Sequence, residues 1–226
     1  MDALDRTAEG TRALLGAMSS PRAAALVPGA VASVARLTGH TRLADAASLA
    51  ILPTLAAATV RADSALAAGV ALGAAAQWEK SHHDRPTALG IAGVSAPHFM
   101  YARRLWARGA RNDALGWALR AGVVAAGLAL ADRADRAMMA GVGIGGAAVA
   151  TSSALAGDPE LRRTPATQGV PHGANLLMAS EGLTFLRTKA DHSLLAAADV
   201  AAQAIGHVLL VDGLLRLPGT PGLLNR

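Results

Sequence analysis

Ionisable residues in this chain fall in clusters, and between the clusters run eight stretches with no Asp, Glu, Lys or Arg: 23–35, 46–60, 64–78, 86–102, 121–131, 137–157, 164–180 and 200–211. That spacing limits the possible folds more than any motif does. Only 137–157 reaches the roughly 20 residues that cross a hydrocarbon core unaided. The other stretches reach across only if flanking Arg and Lys extend outward along their apolar stems. Charged residues make up 16% of the chain, well short of the roughly 25% typical of a soluble domain. The deficit points to an integral membrane protein. A soluble Ala-rich helical bundle is the alternative, because a mean hydropathy of +0.34 is low for a chain of many crossings.

No stretch alternates apolar and polar residues over a strand length, and aromatic residues are 3% of the total. Ala-rich and Leu-rich runs default to helix, so the spacing predicts an all-α bundle of about eight transmembrane helices. Turn signals such as "TGHTR" at 38–42, "RADS" at 61–64 and "RGARND" at 108–113 separate the runs. Most of these connections are short, which makes sequential helices antiparallel neighbours in one domain. The expected division is a cytoplasmic segment over 1–22, a single transmembrane domain over 23–217 and a tail over 218–226.

The net charge of +5 does not mark a nucleic-acid binder, since basic residues sit at segment ends without a stripe or stacking aromatics. Positive flanks on a membrane protein account for the same charge. With eight crossings, Arg61, Arg103, Arg104, Arg108, Arg111, Arg162, Arg163, Arg216 and Arg226 fall on one side. Arg36, Arg42, Lys80, Arg85, Arg133, Arg136, Arg187 and Lys189 fall on the other. The first set is larger, which puts both termini in the cytoplasm. The residues after Met1 lack the basic start and apolar core of a cleaved signal peptide.

Several motifs that could carry chemistry do not. The chain has no cysteine, and "AGVGIGGAAVA" at 140–150 contains G-x-G without the strand that a phosphate loop requires. Close packing of helices through small residues explains that run better. His82 and His83 are adjacent and so point apart on a helix, with no matched second pair for a metal. No G-x-S-x-G elbow is present, and no internal repeat suggests a transporter. Nothing in the sequence requires a metal or cofactor.

Polar residues inside apolar helices are the natural functional candidates, because lipid penalises them. In "GVSAPHFMYARRLW", His98 and Tyr101 are three apart and share a helical face, beside the helix-perturbing Pro97. They either line a cavity or hydrogen-bond neighbouring helices. Glu181 is the lone charge of "NLLMASEGLTFL", either an embedded proton donor or an interfacial group near Arg187 and Lys189. Asp199, Gln203 and His207 recur every four residues in "LAAADVAAQAIGHVLLVDG" and so occupy one face. That face forms either a wet site or a structural seam.

Those segments together resemble the YhhN/lysoplasmalogenase family of polytopic membrane proteins, over roughly residues 40 to 216. His98 and Tyr101 match the family's His and Tyr three apart. Ser180 and Glu181 match its Ser-Asp pair with Glu for Asp. Gln203 matches the Gln of its last helix, where Asp199 stands in place of the usual Tyr. The family's Gly-Asp pair falls on Ala76 and Gln77, with Glu79 two residues on, and its Lys-Pro is reduced to Pro53.

The resemblance implies hydrolysis of the vinyl ether bond of a lysoplasmalogen in a bacterial cell membrane. Such a reaction needs an acid to protonate the vinyl carbon and a second group to stabilise the oxocarbenium ion. On this expectation Glu181 is the acid, Asp199 stabilises charge, and His98 completes the catalytic set. Tyr101, Gln77, Glu79, Ser180, Gln203 and His207 would bind substrate. The expected partners are a lipid substrate and the membrane, with no nucleic acid. A non-catalytic binder of lipid or another amphiphile on the same fold is the alternative.

Overall fold

The structure, a computed structural model, describes residues 3–82, 87–130, 136–187, 190 and 192–217. The tail at 218–226 and the flanking charges Arg85, Arg133 and Lys189 lie outside the described residues, as does His83. Every regular element among the described residues is a helix, with no strand. In order they form α1 (Ala3–Met18), a 3-10 turn (Pro21–Ala25), α2 (Leu26–Leu37), α3 (Thr41–Thr59), α4 (Ser64–Lys80) and α5 (Ala88–Ala107). There follow α6 (Ala114–Leu130), α7 (Arg136–Ala156), the short α8 (Pro159–Arg163), α9 (Gly169–Arg187) and α10 (Ser193–Arg216).

Local chemistry sets several of these ends. Asp63 caps α4 by accepting from the Leu66 backbone N–H at 2.9 Å, and Thr87 caps α5 by accepting from that of Gly90 at 3.1 Å. At the other end of α5, Gly109 turns left-handed with φ +75°. Its N–H donates to the Trp106 carbonyl and that of Ala110 to the Leu105 carbonyl, a Schellman stop. Pro97 lies inside α5 without ending it and packs over Gly73 of α4.

Seven helices pack as a closed ring: α10 on α2, α2 on α3, α3 on α4, α4 on α5, α5 on α7, α7 on α9, and α9 back on α10. Helix α6 lies outside the ring against α7, and α1 lies across α9 and α10. The expected N-terminal segment is thus largely a helix docked on the bundle. Helices α9 and α10 approach most closely. A Cβ placed on Gly173 would stand 2.6 Å from the Gly206 carbonyl oxygen, so glycine is what allows the backbones to touch there.

Among the described residues two helices, α7 over Met139–Ala156 and α10, are long and apolar enough to cross a membrane. Large apolar side chains are exposed around the outside, among them Val27 and Val34 of α2, Phe99 and Trp106 of α5, and Leu119 and Val123 of α6. Polar side chains are buried inside, including His98, Ser152, Asp199 and His207. The interior is mainly apolar with a few embedded polar groups, and the exposed apolar side chains are compatible with a lipid surround.

Candidate functional site

Helical spacing of three places His98 and Tyr101 on the inner face of α5, and both are buried. Across the ring, His207 of α10 meets them. The Tyr101 hydroxyl and His207 Nδ1 share a hydrogen bond of 2.9 Å. His98 packs edge-on to the Tyr101 ring with centroids 5.6 Å apart, and the two imidazoles are 6.1 Å apart. Ser152 of α7 holds the other side of His98, with Oγ 3.0 Å from Nδ1. Because the Ser152 hydroxyl donates its single proton to the Val149 carbonyl at 2.9 Å, His98 Nδ1 is the donor to Ser152. Nε2 is then the acceptor nitrogen of the neutral ring, a tautomer assigned from this network. Three helices thus fix two imidazoles and a phenol in the middle of the bundle.

A second polar site lies nearer the start of α10. Asp199 is buried, and its Oδ1 accepts from the Ser180 hydroxyl at 2.6 Å. Its Oδ2 accepts from the Thr184 hydroxyl at 3.0 Å and from Arg187 Nη1 at 2.8 Å. Ser180, Thr184 and Arg187 are three and four apart, so α9 presents all three donors to one carboxylate. The carboxylate is thus fixed by three donors, one of them a guanidinium cation.

The resemblance assigns these residues to one site, and the helix geometry separates them into two. Asp199 and His207 are eight residues apart on α10, about 12 Å along its axis. Each meets a different neighbour, α9 for Asp199 and α5 for His207. Gln203 lies between them and is half-buried. Glu181 is exposed, because one residue beyond the inward Ser180 turns it about 100° round α9. Burial therefore does not make Glu181 an embedded proton donor. On α4, Gln77 is half-buried and Glu79 is buried, accepting from the Thr87 hydroxyl.

Other polar contacts were missed by the sequence analysis. Ser152 and Thr184 carry no charge and so left no mark in an apolar run. Asp212 is buried between Arg22 Nη2 at 2.6 Å and Arg216 Nε at 2.7 Å, and the i to i+4 spacing of Asp212 and Arg216 was a usable signal. Arg120 of α6 donates to Ser153 of α7 at 3.0 Å and to Asn175 of α9 at 3.4 Å, tying the outer helix to the ring. Among the described residues no three His, Asp or Glu side chains converge as a metal-binding group.

No family model, curated protein or solved structure matches the chain.

Proposed function

We propose that the chain is an integral protein of a bacterial cell membrane that hydrolyses the vinyl ether bond of lysoplasmalogen-type lipids by general acid catalysis. Helices α2 to α7, α9 and α10 are its eight crossings, with both termini in the cytoplasm. The observation that carries this reading is the burial of His98, Tyr101, His207 and Asp199 inside a helical ring that exposes large apolar side chains. Residues Arg61, Arg104, Arg108 and Arg162 gather at the end where α3, α5 and α7 finish and α9 begins, which fits the positive-inside orientation.

Cleavage begins with a proton added to the vinyl carbon remote from oxygen. The resulting oxocarbenium ion takes up water, and the hemiacetal breaks into a fatty aldehyde and a glycerophospho-base. Asp199, held as an anion by Ser180, Thr184 and Arg187, stabilises the cation. Glu79, the buried carboxyl of α4, is the candidate acid in place of the exposed Glu181. His98, Tyr101 and His207, about 12 Å along α10 from Asp199, receive the polar head of the lipid, with Gln203 between the two sites.

A second reading, a lipid or amphiphile binder without turnover, is favoured by the complete engagement of Asp199 with α9. Purified protein in lipid nanodiscs, given an alkenyl lysophospholipid and followed by mass spectrometry, separates the two. The hydrolase reading expects aldehyde release that falls 100-fold or more in Glu79→Gln and is kept in Glu181→Gln. Bound lipid without aldehyde supports the binder, and loss of release only in Glu181→Gln overturns the role of Glu79.

A further inference from the structure

Where α1 crosses α9 and α10 there is an open groove of about 490 Å³, within the range of small-ligand sites. Its lining has two characters. Arg6 and Thr7 of α1 and His172 and Asn175 of α9 form a polar side. Leu176, Ile205 and Leu209 form an apolar side. Gly10 lies beside the His172 ring, where an added Cβ would stand 3.4 Å from Nδ1, in ordinary contact. The Asn175 carbonyl oxygen accepts from Arg120, which turns the amide N–H groups to donate elsewhere. Arg162 is within electrostatic reach of His172, and Glu9 stands 3.8 Å from His172 Nε2.

We infer that this groove binds a single-chain amphiphile with a phosphate headgroup, the phosphate taken by Arg6 and Asn175 and the chain laid along Leu176, Ile205 and Leu209. Guanidinium and amide donors suit phosphate oxygens, and the adjoining apolar wall suits the chain. The site is distinct from the ring interior. Ile205 and Leu209 face the groove, whereas His207, about 200° round α10 from Ile205, faces Tyr101. The inference does not depend on the hydrolase reading, and binding here is separable from vinyl ether cleavage.

Native mass spectrometry of the full-length protein in detergent tests it, with palmitoyl lysophosphatidate, monopalmitoyl glycerol and inorganic phosphate as probes. A saturable lysophosphatidate adduct that depends on Arg6, separate from any lipid held in the ring, is expected, about tenfold tighter than the glycerol analogue, with inorganic phosphate weaker still. Arg6→Ala removes that preference. Thr7 is exposed at the groove mouth, so Thr7→Trp blocks entry without touching the core. Equal affinity for lysophosphatidate and monopalmitoyl glycerol, full binding by inorganic phosphate alone, or unchanged adducts in both variants would overturn the inference.

Discussion

Tyr101 and His207 stand 106 positions apart in sequence and share a hydrogen bond of 2.9 Å in the interior of the bundle. The bond joins α5 to α10 across the ring. It gives each of the two buried groups a polar partner that neither could find on its own helix.

Replacing Tyr101 with Phe keeps the ring and removes only the hydroxyl. The imidazole of His207 is then left buried without that partner. The expected loss is about 1–3 kcal/mol of stability, read from detergent unfolding curves. Phe99→Leu, on the exposed face of the same helix, is expected to change stability by less than about 0.5 kcal/mol.

Asp199 and Arg187 behave as a unit. The Arg187 side chain retains 27% exposure, so Arg187→Ala is expected to cost less than the roughly 3–5 kcal/mol of a fully buried pair. Asp199→Asn in that background removes the stranded charge. A double-mutant cycle by unfolding should show the pair of substitutions costing less than the sum of the two alone.

Glycines along α9 differ by what faces them. Gly173→Ala would press on the Gly206 carbonyl and Leu210 backbone N–H, both 2.6 Å from the new carbon, and is expected to cost about 1–3 kcal/mol. Gly182 has no atom within 4 Å of such a carbon, so Gly182→Ala is expected to stabilise by about 0.5–1 kcal/mol. Unfolding midpoints of the two variants should move in opposite directions.

All three tryptophans, Trp78, Trp106 and Trp117, have outward-facing side chains. In a bilayer they meet lipid near the helix ends, where aromatic residues gather. Reconstitution with lipids brominated along the acyl chains is expected to quench most of the tryptophan emission. Emission indifferent to bromine would instead describe a bundle standing in water.

The helices were legible because charge-free runs report which residues avoid water. Their lengths were less so. The charge-free run begins at 121, yet α6 starts at Ala114, directly after the turn signal at 108–113, with Arg120 held inside the helix by Ser153 and Asn175. Helix α1 went unforeseen because its apolar face, with Ala13, Leu14 and Ala17, is interleaved with charges. At the site, the shared face of His98 and Tyr101 followed from helical periodicity. Their meeting with His207 and Ser152 depends on which helices become neighbours, and periodicity does not encode that. Glu181 misled because an isolated carboxyl in an apolar run looks embedded, and a single residue of rotation takes it outside.

The central claim is acid-initiated cleavage of a vinyl ether, and running the reaction in D₂O tests it most directly. Protonation at carbon places one solvent deuterium on the carbon next to the aldehyde. The account predicts fatty aldehyde one mass unit heavier from the parent protein, with release reduced 100-fold or more in Asp199→Asn. Aldehyde without that deuterium, or equal release by parent and Asp199→Asn, would contradict it.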